Sequence, residues 1–149
     1  MKNYFIKTLL SISAVILFSI VVYAAGTYSS YYEISHSITS QTISPVGSGT
    51  IYYDYDIKWW NNNTSQYTTI SSGDIQVDAA VRIQWRKQGS LGLWFNEGTE
   101  KSTPTLGTNG KSGTLSWSSM PSGTYRFTAT KTMQNSLYWV KDVFKVRYP

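Results

Sequence analysis

Apolar and polar side chains alternate with a period of two along most of this chain after residue 26, and the three-and-four spacing of an amphipathic helix is nearly absent. From Ile75 to Trp85, Ile75, Val77, Ala79, Val81, Ile83 and Trp85 fall on one face, and Gln76, Asp78, Arg82 and Gln84 on the other. From Ile51 to Trp60, Ile51, Tyr53, Tyr55, Ile57 and Trp59 oppose Tyr52, Asp54, Asp56, Lys58 and Trp60. Successive side chains of a strand point to opposite sides, so both stretches predict strands with one dry and one wet face.

Shorter strands are expected over Thr27–Ser37, Tyr67–Ser71, Leu93–Asn96, Gly113–Ser118, Gly123–Lys131 and Ser136–Arg147. Turn residues separate them at Pro45–Gly49, Gln88–Ser90, Gly107–Gly110 and Pro121–Gly123, where Gly, Pro, Asn and Ser supply the local backbone freedom and hydrogen bonding that turns need. The prediction is an all-β fold, an antiparallel two-sheet sandwich of seven or eight strands, with a closed barrel as the alternative.

Two segments resemble the immunoglobulin-like sandwich: Val81-Arg82-Ile83-Gln84-Trp85-Arg86-Lys87-Gln88-Gly89, and Leu115-Ser116-Trp117-Ser118-Ser119-Met120-Pro121-Ser122-Gly123-Thr124-Tyr125-Arg126-Phe127. The resemblance implies a core role for Trp85 and a tyrosine corner at Tyr125. Phe127 stands where antibody domains carry their second cysteine, and the resemblance concerns architecture alone.

The first 24 residues break the pattern. Lys2 and Lys7 precede an apolar run, Leu9–Val22, and Val22-Tyr23-Ala24 places compact residues where a signal peptidase cuts. Residues 1–24 are therefore expected to be a signal peptide and 25–149 a single secreted, extracellular β-sandwich domain. The alternative is an uncleaved anchor, disfavoured because a spanning helix wants about 20 apolar residues and Ser11, Ser13 and Ser19 interrupt this run. Cysteine is absent, so no disulfides compensate for a small core, and about 125 mature residues must bury roughly two thirds of their unfolded surface unaided. A small, cysteine-free chain with an Asn-, Ile- and Lys-rich start is expected to be bacterial rather than animal. Losing Lys2 and Lys7 lowers the formal charge from +5 to +3, with basic residues scattered. No phosphate-tracking stripe results, which argues against a nucleic-acid partner and leaves weak attraction to an anionic wall or membrane surface.

Catalytic chemistry has little to work with. Thiol catalysis needs a cysteine, and the single His36 lies in an ordinary strand-like segment, Tyr32–Ser37. That scarcity disfavours zinc, and the acidic loop of a calcium site is missing. Paired carboxylates, Asp54 with Asp56 or Glu97 with Glu100, are the remaining device for acid–base hydrolysis, and such pairs usually mean solvated charge. No enzyme, cofactor, metal or catalytic residue is assigned.

The aromatic residues carry the functional expectation. Among six Trp and twelve Tyr, the alternation assigns Trp59, Trp85 and Trp117 to apolar faces. Trp60 and Tyr52 share the opposite face with Asp54, Asp56 and Lys58, and Trp94 follows a Gly-rich turn. Rings beside a few placed acceptors suit a saccharide, packing on C–H groups while carboxylates take hydroxyls. They equally mark a protein interface. The expected function is thus a secreted, non-enzymatic binding protein for a cell-surface or extracellular glycan or protein, with Trp60, Tyr52, Asp54, Asp56 and Trp94 as ligand-binding residues. Two alternatives stand beside it: a membrane-active, bacteriocin-like or pore-forming toxin, and an inhibitor of an extracellular enzyme acting through the Gly98–Ser112 loop.

Overall fold

The computed structural model describes residues 25–34, 36–61, 65–69, 80–104, 112–132 and 139–149, with the backbone alone for 59–61 and 66–69. The expected signal segment, Ile75–Ala79, the Gly107–Gly110 turn and Ser136–Tyr138 lie outside the described residues. No described helix is long and apolar enough to cross a membrane.

The strands, in chain order, are β1 (Gly26–Ile34), β2 (Ser37–Thr39), β3 (Ile43–Val46), β4 (Gly49–Asn61), β5 (Gln66–Thr69), β6 (Val81–Gln88), β7 (Trp94–Asn96), β8 (Lys101–Ser102), β9 (Ser112–Met120), β10 (Gly123–Lys131) and β11 (Val140–Tyr148), with a short 3-10 turn at Ser90–Gly92. They form two antiparallel sheets packed as a sandwich. In the five-stranded sheet β11 lies between β1 and β4, and the far edge of the long β4 is shared by β9 and β5. In the six-stranded sheet β10 and β6 are central; β2 and β3 share the outer edge of β10, and β7 and β8 that of β6.

Eleven strands appear among the described residues where seven or eight were expected because β2, β3 and β8 are edge pieces of two to four residues, too short to show an alternation. Pro45 is tolerated in β3 because that strand pairs on one side only, with β10. The strand expected over Thr27–Ser37 is divided between the sheets. Tyr32 and Ile34 point inward, and continuing the alternation would bury His36, which instead stays exposed as the chain crosses to β2.

The core is aromatic. Phe127 meets Tyr53, Trp85 and Phe144 edge to face, with centroids 5.2, 5.3 and 5.1 Å away, and Tyr53 stacks on Phe144. Such pairs add about 0.5–1.5 kcal/mol each beyond burial itself, and they couple the sheets because Tyr53 and Phe144 belong to one and Trp85 and Phe127 to the other. Trp85 is fully buried, and Trp117 packs edge-on against it while donating its indole N–H to the Thr99 carbonyl at 2.6 Å. The Tyr125 hydroxyl donates to the Pro121 carbonyl where the chain leaves β9 in one sheet for β10 in the other. This is the contact a tyrosine corner makes.

Candidate functional site

The outward side of the five-stranded sheet carries a polar surface whose rows follow from strand register. Outward residues are Thr27, Ser29, Tyr31 and Glu33 on β1, Lys141, Val143, Lys145 and Arg147 on β11, Tyr52, Asp54, Asp56 and Lys58 on β4, and Ser112, Thr114 and Ser116 on β9. Register sets one row as Thr27, Arg147, Tyr52, Ser116, the next as Ser29, Lys145, Asp54, Thr114, and a third as Tyr31, Val143, Asp56, Ser112. Three of the five expected ligand-binding residues, Tyr52, Asp54 and Asp56, therefore lie together.

Asp54 is not the free acceptor its sequence position suggests. The Arg147 guanidinium grips it as a fork, Nε to Oδ2 at 2.7 Å and Nη2 to Oδ1 at 2.9 Å, and the Thr114 hydroxyl donates to Oδ1 at 2.7 Å. A carboxylate offers roughly four lone-pair positions, so about one remains for a ligand. Hydrogen bonding from Arg147 holds the Asp54 carboxyl below the usual carboxylate range, and the group stays ionised rather than serving as a proton donor. Asp56 is freer: Lys58 Nζ is 3.9 Å away, a long ion pair at a half-exposed site.

Two tyrosines on this face are pinned by cations. The Arg147 guanidinium carbon lies 4.7 Å from the Tyr52 ring centroid, and Lys141 Nζ lies 4.4 Å from that of Tyr31. Tyr31, 62 % exposed, and Val143, 45 % exposed, continue the Asp56 row across β11 to β1 and were not anticipated. The signal for Tyr31 was available in the sequence: it is the one ring among Thr27, Ser29 and Glu33 on the polar side of β1. Trp139, beside Val140 at the head of β11, is 48 % exposed. The backbone of Trp60 pairs with Tyr67 in β5, one position beyond the Trp59–Val140 pair, and its side chain is outside the description, as is that of Trp59.

Trp94 is set apart. It sits on β7, at the edge of the other sheet, where the Arg126 guanidinium carbon lies 4.2 Å from its ring centroid. The two suggested carboxylate pairs also separate chemically. Glu100 bonds Arg82 at 3.3 Å, while Glu97 lies near Tyr125, whose hydroxyl pKa is raised, mainly by burial and secondarily by the Glu97 charge. His36 is exposed, and its carbonyl accepts the Lys131 N–H at 2.8 Å. Among the described residues no cluster of three metal-ligating side chains occurs.

A scan against protein-family models and a search of curated proteins find no match. Among solved structures, the fold is similar to a protein of Sulfurospirillum deleyianum at 10 % identity, covering 85 % of this chain and 99 % of that one with a TM-score of 0.46. It is similar to the C-terminal family 6 carbohydrate-binding module of a Zobellia galactanivorans laminarinase, at 16 % identity, 83 % and 100 % coverage and a TM-score of 0.44. A family 61 carbohydrate-binding module solved with β-1,4-galactotriose matches at 11 % identity, 82 % and 71 % coverage and a TM-score of 0.42.

Proposed function

We propose that this protein is a secreted, non-enzymatic binding module that takes a glycan across the outward side of its five-stranded sheet. One observation carries the reading: Tyr31, Val143 and Asp56 form a row of exposed ring, apolar side chain and available carboxylate, beside two further rows that Arg147 ties together by fixing both Tyr52 and Asp54. Saccharides offer apolar C–H patches flanked by hydroxyls, and a shallow face with pinned rings and a few oriented polar groups complements both at little ordering cost. Asp56 accepts hydroxyl hydrogen bonds, and the Arg147–Asp54 fork stays rigid while presenting its remaining donors and acceptor. Export is supported by the leader-like first 24 residues. The lowered Asp54 pKa and the separated Glu97 and Glu100 support a binding rather than hydrolytic role.

The test is retention of residues 25–149 on purified cell walls and insoluble neutral polysaccharides. Wild type is expected to be retained, and Tyr31→Ala with Asp56→Asn to lose about tenfold in affinity. A wild type that passes every matrix, or variants retained equally, overturns the assignment to this face.

A membrane-touching alternative draws on the tip next to β7, where Leu91 is 96 % exposed and Leu93 and Phe95 are also exposed. Apolar side chains beside a tryptophan suit an interfacial position. Dye release from anionic vesicles at micromolar protein tests it, and an absence of release removes the lytic reading.

A further inference from the structure

The outward side of the six-stranded sheet holds two arginines that pair with no carboxylate among the described residues. On β6, Val81, Ile83 and Trp85 point into the core and Gln84 and Arg86 point away; on β10, Tyr125, Phe127 and Ala129 are buried and Arg126 and Thr128 face out. Register places Arg126 directly opposite Arg86 on the neighbouring strand. Side chains so paired sit about 5 Å apart at their Cβ atoms, and like charges directly opposite one another are unfavourable. A sheet usually relieves such a pair with a carboxylate. Here Glu100 is taken by Arg82, Asp54 by Arg147 and Glu33 by Lys141, all away from the pair.

Three polar atoms at this place lack hydrogen-bond partners among the described residues while being shut off from solvent: Nε of Arg86, Nε of Arg126 and the Thr128 hydroxyl. Leaving donors unpaired costs about 1–3 kcal/mol apiece in a folded protein. The Trp94 ring covers one side of the Arg126 guanidinium at 4.2 Å, an arrangement that holds the fork in place and shields its charge from water. Two guanidinium groups side by side with no carboxylate partner, one held against an aromatic ring, suit an oxyanion.

We infer that Arg86 and Arg126, with Thr128 and Trp94, form a second binding site, for a sulfate or phosphate monoester carried on a saccharide. The geometry selects among oxyanions. A carboxylate's two oxygens match a single arginine fork, whereas a monoester group presents three terminal oxygens, enough to accept from the terminal guanidinium nitrogens of both arginines at once. Trp94 then lies where the carrier's ring would pack. The site is independent of the neutral-glycan face, being on the opposite sheet, and it accounts for Trp94 standing apart from Tyr52, Asp54 and Asp56.

The experiment uses residues 25–149 with neutral dextran, dextran sulfate and dextran phosphate as probes, titrated calorimetrically at fixed ionic strength. Wild type is expected to bind the sulfated or the phosphorylated polymer, and the stronger of the two arms identifies the ester; neutral dextran is expected to bind at least tenfold more weakly. Arg86→Gln with Arg126→Gln should weaken ester binding at least tenfold. Arg82→Gln with Lys145→Gln removes equal charge elsewhere and should change it by twofold or less. Arg126→Lys keeps the charge and loses the fork, and should still weaken binding several-fold. Equal losses in the two double variants, or no binding of either ester polymer by wild type, overturn the site. Unchanged retention of Arg86→Gln with Arg126→Gln on neutral polysaccharide separates a failure here from a failure of the other face.

Discussion

The hydroxyl of Tyr53 donates to Oδ2 of Asp142 at 2.7 Å in the interior of the sandwich. Tyr32 donates to the same oxygen at 2.9 Å, and the Asp56 backbone N–H donates to Oδ1 at 3.0 Å, so donors from the two strands beside β11 converge on one fully buried carboxyl. A buried charge needs such partners, and these three are all neutral. Burial outweighs them and pushes the Asp142 pKa up to about 6. The same burial raises both tyrosines well above their usual value, so they remain donors at any working pH.

Stability is therefore expected to fall as pH rises through the Asp142 transition. The folded pKa is above the unfolded value of 3.8, so between about pH 4 and pH 6 the native state holds the proton more tightly than the unfolded chain. The contribution is fully present below pH 4 and lost above about pH 7, amounting to about 3 kcal/mol at 1.36 kcal/mol per unit. Asp54, with its lowered pKa, works in the opposite sense at lower pH and is more exposed, so its effect is smaller. Urea melts at pH 5 and pH 7.5 should show the midpoint dropping at the higher pH for wild type and a much flatter dependence for Asp142→Asn. A wild-type midpoint that rises over this interval contradicts the raised pKa.

Tyr125→Phe is expected to cost about 1–2 kcal/mol with an unchanged urea slope. The ring stays and only the hydroxyl goes, leaving the part-buried Pro121 carbonyl without its donor at the crossing between sheets. A loss below about 0.3 kcal/mol would show that water replaces the contact and that the corner is held by packing alone.

Gly113 faces a different constraint. It is paired with Tyr55 across β9 and β4, and a Cβ added there would come within 2.5 Å of the Tyr55 hydroxyl and 2.9 Å of the adjoining ring carbon. The ring lies over the glycine, as aromatic residues do opposite strand glycines. Gly113→Ala must displace the Tyr55 ring, with an expected loss of about 1–3 kcal/mol by the overpacking rule. In the double variant Gly113→Ala, Tyr55→Ala the penalty for the alanine at 113 should largely vanish, and a double-mutant cycle in denaturant melts measures the coupling.

Alternation made most of the inward faces legible: Ile51, Tyr53, Tyr55 and Ile57, then Val81, Ile83 and Trp85, are buried as their period requires. The same rule carried Tyr52, Asp54 and Asp56 to a shared outer face. It failed where a residue's chemistry disagrees with its phase. Asp142 occupies an inward position between Val140 and Phe144, and only two tyrosines from distant strands explain how a carboxyl survives there. Contacts between strands far apart in sequence were equally hidden. Arg86 and Arg126 are unremarkable in their own segments, and register alone makes them neighbours. The engagement of Asp54 likewise depends on Arg147, 93 residues away.

Placing Trp94 on one sheet and Tyr31 on the other predicts a double dissociation in binding. Trp94→Ala removes the ring held against Arg126 and should lower affinity for a sulfated or phosphorylated polymer about threefold to tenfold, in line with a desolvated cation–ring contact of about 1 kcal/mol. It should leave retention on neutral polysaccharide unchanged, because no outward residue of the five-stranded sheet is shared with that site. Tyr31→Ala should do the reverse. Both side chains are partly exposed, so neither substitution opens a core cavity, and thermal midpoints within about 3 °C of wild type would confirm intact folding. Were Trp94→Ala to abolish neutral-glycan retention, one continuous surface would have to bind both ligands, and the division of labour between the sheets would be wrong.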